Sequence, residues 1–140
     1  MQNESYFLDL DTNGNVSYPG DITQSSQDST FCDTGISTVI YTATGRYQHA
    51  IKLFVMVEGT PVGGLGSWET QACDVIAVKG YVDNIVTISV YGLTYSSDAA
   101  LATFDAQWNT VTNRIEITCT PAGANSVTAS VHAIEMNSND

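Results

Sequence analysis

Alternation of apolar and polar residues dominates the chain from Ile36 onward and constrains its fold more than any other feature. The clearest run is YQHAIKLFVMVEG, in which alternate residues over 51–57 form one apolar face. This period of two is typical of a β-strand, because successive side chains point to opposite faces of the sheet. The other face, over 50–56, is also mostly apolar, so we expect this strand to be central in a sheet or to lie in an interface.

The chain contains six further runs rich in β-branched and aromatic residues, which we interpret as strands separated by turns. Each is bounded by Gly, Asn, Asp, Pro or Ser, and the spacing between runs is about 10–15 residues. The run SSDAALATFDAQW has some helical periodicity, but its Thr and aromatic residues favour a strand preceded by a turn. About seven strands at this spacing predict an all-β fold, an antiparallel β-sandwich over residues 37–140.

The first 36 residues are polar and rich in turn signals. They contain Asn-Gly, Pro-Gly and a run of Ser, Gln and Asp, which are typical of turns and loops. We therefore predict an irregular N-terminal arm over 1–36, with at most two short strands.

The charge balance excludes several classes of partner. The chain has 15 acidic residues against 4 basic ones, a net charge of −11. The cations Arg46, Lys52, Lys79 and Arg114 are spread along the chain, whereas nucleic-acid binding needs a cluster of cations. No apolar stretch is long enough to span a bilayer, and the first residues resemble no signal peptide. We expect no nucleic-acid partner and no membrane partner.

Three cysteines, Cys32, Cys73 and Cys119, lack the C-x-x-C spacing of zinc or redox sites. We expect reduced thiols, two of them buried in strands. Cys119 precedes a Pro-Gly turn in RIEITCTPAGANSVTASV, which we interpret as a β-hairpin at the closing edge of the sandwich. Because Cys119 shares a face with Ile115 and Ile117, it is interpreted as a small apolar filler.

Two segments imitate ligand-binding loops. Asp9, Asp11, Asn13 and Gly14 have the spacing of a calcium loop, but Gly20 occupies the twelfth position, where that loop needs Glu. An Asn-Gly turn explains the same residues. The glycine-rich segment 59–66 has no Lys after it and no helix to open, so a loop is predicted. No metal and no cofactor are expected.

Catalytic arrangements are equally weak in the sequence. His49 or His132 would have to meet Cys73 or Cys119 to form a nucleophilic pair, and they are far apart in sequence. The acids on strands, such as Asp74, Asp105 and Glu116, are single. We predict that the protein is not an enzyme and has no catalytic residues.

The second half of the chain resembles a β-sandwich domain of virion structural proteins in tailed phages, notably contractile-tailed phages of cyanobacteria and marine bacteria. The similarity covers roughly residues 38–136. The segments that carry it are YQHAIKLFVMVEG, CDVIAVKGYVDN, LATFDAQW and NRIEITCTPAGANSVTASVHAIEM. Asp74 stands where Glu is usual, and the loop GTPVGGLGSWET is outside the pattern.

The resemblance implies a structural, self-assembling role in a virion assembled in the host cytoplasm. Capsid decoration, as a cement protein, is the favoured expectation. The alternative is a tail, baseplate or fibre component, including one that binds a host receptor or a glycan. Such a tip would expose clusters of aromatic residues on loops, and Trp68, Tyr81, Tyr91 and Tyr95 lie near predicted loops. Trp68-Glu69 is the adjacent aromatic–acid pair that would suit a sugar. The implied partners are other virion proteins and copies of this chain, for example in a trimer.

Overall fold

The computed structural model describes residues 9–10, 12, 16–17, 22–45, 50–60, 68–123 and 125–136. Within these ranges the chain is all-β and contains no helix. The strands are β1 (Asp9–Leu10), β2 (Val16–Ser17), β3 (Ile22–Cys32), β4 (Thr38–Thr42), β5 (Ala50–Gly59), β6 (Glu69–Lys79), β7 (Val86–Tyr95), β8 (Ala102–Asn109), β9 (Arg114–Pro121) and β10 (Val127–Met136). The described part of the chain therefore has no helix that would span a bilayer.

Two antiparallel sheets pack face to face, as predicted for a β-sandwich. The larger sheet has the order β1-β2-β3-β10-β5-β6-β7, and the smaller has the order β4-β9-β8. Strand β5 is central in the larger sheet, between β10 and β6, which its two apolar faces predicted. Strand β8 follows a bend at 96–99, so SSDAALATFDAQW is a turn and a strand rather than a helix.

The core lies between the two sheets and is built from the alternate residues of each strand. Along β5 the inward positions are buried and Lys52 and Phe54 are exposed, which is the period that the sequence predicted. The fully or almost fully buried apolar side chains are Cys32, Ile40, Tyr41, Ala43, Ile51, Leu53, Val55, Val57, Cys73, Val75, Ala77, Leu101, Ala102, Ile115, Ile117, Cys119, Val127, Ala129, Val131 and Ala133.

The structure differs from the sequence prediction in the first 36 residues. We expected at most two short strands there, but β3 alone runs for 11 residues and pairs with β10 along most of its length. Its sequence, ITQSSQDSTFC, lacks an apolar alternation. The ladder with β10 orders it, because sheet pairing depends more on neighbouring strands than on intrinsic propensity. The division into an arm over 1–36 and a sandwich over 37–140 stays a prediction.

The hairpin predicted over 114–131 was also wrong. Strand β9 lies between β4 and β8 in the small sheet, whereas β10 lies between β3 and β5 in the large one. The connection after Pro121 crosses from one sheet to the other, and its Ala122 amide donates to the Leu101 carbonyl at 2.9 Å. Both strands are internal, so this segment is not the closing edge of the sandwich.

Candidate functional site

Two buried polar side chains fasten the sheets together. Glu135, on the inner face of β10, is fully buried and accepts hydrogen bonds from the Tyr41 hydroxyl at 2.9 Å and from the Thr44 amide at 2.8 Å. Gln71, on β6, donates to the Ala102 carbonyl at 2.9 Å and accepts from the amide of Leu101. Because both groups are satisfied inside the sandwich, they hold the sheets in register and are not available to a ligand.

A third cross-sheet contact involves a cation. The Lys79 ammonium lies 4.5 Å from the centre of the Trp108 ring and donates to the Gly80 carbonyl at 2.8 Å. Lys79 is buried on the inner face of β6, and a cation over an aromatic face in such a place stabilises packing. Its role is therefore structural.

The three cysteines are free thiols buried in the core. A hydrogen bond with Cys32, together with burial, raises the pKa of Cys119, and the Cys32 thiol donates to the Thr30 carbonyl at 3.7 Å. Burial, with a smaller effect of Asp74, raises the pKa of Cys73 to about 11. The hydrogen bond with Cys119 lowers the pKa of Cys32. All three thiols are nevertheless buried away from solvent, and buried structural thiols are inert as nucleophiles. Cys119 fills the interior, as its position in the alternation indicated.

The structure keeps the candidate catalytic groups apart. His132 is exposed on the outer face of the large sheet, whereas Cys119 is buried between the sheets, so the two cannot form a nucleophilic pair. Asp74 lies on the outer face of the large sheet. Asp105 and Glu116 lie on the outer face of the small one, where Glu116 accepts from two amide side chains. Asp74 is therefore on the opposite side of the sandwich from the other two acids, and Asp105 and Glu116 are diagonal neighbours on β8 and β9.

Other candidate residues fall outside the described ranges. They are His49, Asp11, Asn13 and Gly14, together with the side chain of Asp9 and residues 61–66 of the glycine-rich segment. Within the described ranges, no three His, Cys, Asp or Glu side chains are grouped so that they would hold a metal ion.

The outer face of the large sheet carries a mixed line of side chains, which we call the outer row. In the strand register Tyr91 pairs with Asp74, Asp74 pairs with Phe54, and Phe54 pairs with His132. Cross-strand partners point to the same face, so these four side chains lie side by side. Phe54 is 52% exposed and Tyr91 is 41% exposed. The outer row is therefore an accessible surface of two aromatic rings with a carboxylate between them.

An aliphatic patch lies on the same face, beside the first residues of β5 and the last residues of β10. It surrounds a shallow recess of about 230 Å³ lined by Ala50, Ile51, Lys52, Ile76, Ile134 and Met136. Met136 and Ile134 are exposed. This face thus has an aliphatic half and an aromatic, acidic half.

Among the described strands, β7 forms one edge of the large sheet and has a strand partner on one side alone. This strand has ten residues, VTISVYGLTY, with no charged residue and no proline. Edge strands usually carry such residues, because unpaired backbone groups invite pairing with another chain. Among the described strands, the other edges are shorter, and β8 contains Asp105. The edge of β7 is therefore the one best suited to continue a sheet into a second chain.

A bulge at Gly92 changes the direction of the side chains that follow it. Asp74 pairs with Tyr91 but Ala72 pairs with Thr94, so β7 has one residue more than β6 in this interval. Gly92 has a φ of 65°, a conformation that glycine adopts without steric cost. As a result Leu93 joins Val90 and Phe104 in lining an apolar groove of about 240 Å³ between β7 and β8.

The aromatic residues near the predicted loops are all exposed. Trp68, Tyr81, Tyr91 and Tyr95 have 40–75% of their surface accessible. They do not form one cluster. Trp68 and Tyr95 lie near one end of the β6–β7 ladder and Tyr81 lies beyond the other, about 30 Å away for strands of this length.

The exposed aromatic residues could be identified from the sequence, whereas the outer row could not. Its members come from four different strands, and only the strand register brings them together. The adjacent pair Trp68-Glu69 was the signal that the sequence offered for a sugar site. The Glu69 carboxylate instead accepts a hydrogen bond from the Ser96 hydroxyl, which links the ends of β6 and β7.

Comparisons with known proteins give no family for this chain. No family model matches it, and no curated protein matches it in sequence. Among solved structures it is similar to the tailspike protein of Acinetobacter baumannii phage AM24, with a TM-score of 0.47 and 5% identity over 85% of this chain and 27% of that one. It is also similar to the tailspike protein of Acinetobacter phage vB_ApiP_P1, with a TM-score of 0.45 and 16% identity over 86% of this chain and 23% of that one. The chain spans about a quarter of either tailspike, and TM-scores below 0.5 assign it no function.

Proposed function

We propose that this protein is a structural component of a phage virion and that it assembles through the free edge formed by β7. The observation that carries the proposal is an edge strand of ten residues without a charge or a proline, beside an open apolar groove. Such an edge is prone to pair with another chain. The resemblance of the second half of the chain to virion β-sandwich domains agrees with this role.

The assembly partner that we propose is another copy of this chain or a neighbouring virion protein. At a net charge of −11 two copies repel each other over most of their surfaces. The uncharged β7 is where that repulsion is smallest, and its backbone groups supply hydrogen bonds to an incoming strand. A homo-oligomer, for example a trimer, fits this edge. Its place of assembly is the host cytoplasm.

Within the virion, we propose that the protein is a component of the tail or of a fibre rather than a capsid decoration protein. The sequence favoured a capsid cement, with a tail component as the alternative. A tail or fibre tip was expected to expose clusters of aromatic residues on loops. Trp68, Tyr81, Tyr91 and Tyr95 are each exposed but form no single cluster, and the support comes from Tyr91 together with Phe54 in the outer row. A cyanobacterial or marine host stays a prediction from the resemblance.

A binding and assembly role is proposed rather than catalysis or a cofactor-dependent activity. The support is the position of Asp74 on the outer face opposite to Asp105 and Glu116, so that it shares no cleft with them. On the other face the Glu116 carboxylate accepts hydrogen bonds from the side-chain amides of Gln107 and Asn109, and the thiols are buried.

The proposal is tested by separating heads from tails of disrupted phage particles on a density gradient and probing both fractions with an antibody to this protein. We expect the protein in the tail fraction, and we expect the antibody to block adsorption of intact phage to cells. Recovery with the heads would contradict the tail placement and support capsid decoration. Absence from both fractions would refute the virion role.

A further inference from the structure

The outer row has the composition of a sugar-binding surface. A pyranose ring presents C–H groups on its faces and hydroxyls around its rim. The faces pack on exposed aromatic rings, and the hydroxyls donate to a carboxylate, which only accepts hydrogen bonds. Phe54 and Tyr91 provide the rings, and Asp74 lies between them as the acceptor.

The spacing of the outer row suits a linear chain of sugars. Neighbouring strands of a sheet are about 4.8 Å apart, so Phe54 and Tyr91, two strands apart, are separated by about 10 Å. That separation places the two aromatic rings under alternate sugars of an extended oligosaccharide, with the intervening sugar over Asp74. His132 extends the row by one more strand.

The state of Asp74 favours a sugar over a protein partner at this place. Among the described residues, no side chain donates a hydrogen bond to the Asp74 carboxylate and no cation pairs with it. A protein packed on Phe54 and Tyr91 would bury that carboxylate, which is costly unless a donor meets it. A sugar brings several hydroxyl donors to the same position.

Charge narrows the class of sugar. The row itself contains a carboxylate, and the whole chain has a net charge of −11, so an acidic polysaccharide is repelled. A neutral glycan, or one that carries amino groups, is not repelled by these charges. We infer that the outer row, Tyr91, Asp74, Phe54 and His132, binds a linear neutral or amino-bearing oligosaccharide. This inference does not depend on the tail placement, because binding is measured on the isolated protein.

The test is an array of linear neutral, amino-bearing and acidic oligosaccharides, including chitohexaose, a glucosamine hexamer and oligogalacturonate, followed by calorimetry on the sugars that bind. We expect a neutral or amino-bearing oligosaccharide to bind, and we expect Phe54→Ala to weaken it at least tenfold. Tyr91→Phe keeps the ring and should retain affinity, whereas Tyr91→Ala should lose it.

Tyr81→Ala is the matched control, because Tyr81 is an exposed aromatic residue beyond the end of the strands and away from the row. It should bind as the wild type does. The inference is overturned if no oligosaccharide binds, if the acidic one binds as tightly as the others, or if Phe54→Ala has no more effect than Tyr81→Ala. A change of oligomeric state in Phe54→Ala, with sugar binding unaltered, would instead assign the row to a protein contact.

Discussion

Glu135 is a buried carboxylate whose contribution to the free energy of unfolding can be measured directly. It receives the Tyr41 hydroxyl and the Thr44 amide, and its removal leaves both donors inside the sandwich without an acceptor. Glu135→Ala should lower the free energy of unfolding in urea by about 3 kcal/mol. Glu116→Ala is the control, because that carboxylate is hydrogen-bonded at the surface, and it should cost less than about 1 kcal/mol. Equal losses would contradict the role given to Glu135.

The buried thiol of Cys73 should make the free energy of unfolding depend on pH in the alkaline range. The pKa of Cys73 is raised from its usual 9.0 to about 11, chiefly by burial. In the unfolded chain the thiol ionises near pH 9, while in the folded chain it stays protonated. Unfolding therefore releases a proton between these values, and stability should fall as pH rises from about 9 to about 11. Between about pH 9 and about pH 11 the urea midpoint of Cys73→Ala should fall less than that of the wild type. An equal fall in both proteins would show that Cys73 is not the group responsible.

The bulge in β7 depends on Gly92. With a φ of 65° this position is strained for any residue that has a Cβ, although the space around it is open. Gly92→Ala should lower the free energy of unfolding by about 1 kcal/mol. Gly80→Ala is the matched control, since its Cβ would make an ordinary contact of 3.8 Å with Asp83, and thermal unfolding should show almost no change. A neutral Gly92→Ala would mean that the bulge is not needed.

Assembly through the β7 edge is tested by placing a charge on it. Leu93→Lys puts an ammonium group beside the apolar groove, in the manner in which natural edge strands prevent pairing. Light scattering after size exclusion should show an oligomer for the wild type and a smaller species for Leu93→Lys. Val111→Lys makes the same change at a residue that is 87% exposed in the turn after β8, and it should leave the mass unaltered. If the wild type is a monomer, or if both variants behave alike, copies of this chain do not assemble with one another through this edge.

Individual strands could be predicted from the sequence, because alternation is a local property. The buried faces of β5 and β9 follow directly from the apolar positions over 51–57 and from Ile115, Ile117 and Cys119. Strand β3 could not be predicted, since ITQSSQDSTFC has no alternation and is ordered by its pairing with β10. Local composition carries no information about a strand that its neighbour imposes.

The assignment of strands to sheets could not be predicted either. A Pro-Gly turn between two β-branched runs suggested a hairpin over 114–131, yet the chain crosses to the opposite sheet after Pro121. The outer row could not be predicted for the same reason, because it depends on which strands are neighbours in the sheet. Its four members are Phe54, Asp74, Tyr91 and His132, and consecutive members are 17 to 41 residues apart along the chain. They become neighbours only through the strand order β10-β5-β6-β7. Cross-strand neighbours depend on topology, which one sequence does not specify.

Over the described residues the molecule is an uneven sandwich, with a broad sheet that ends at β7 and a small sheet that covers part of its inner face. We expect such a subunit to be completed by its neighbours in a larger particle. On this proposal the strong negative charge keeps free copies apart, and the uncharged edge allows contact where the strands align.

We propose above all that β7 is a subunit contact of a virion component in the tail. Electron cryo-microscopy of the whole phage particle would show this contact. We expect this sandwich in the tail or a fibre, with a strand of a neighbouring chain continuing the large sheet beyond β7. A sandwich found on the capsid, or one in which β7 faces solvent, would refute the proposal.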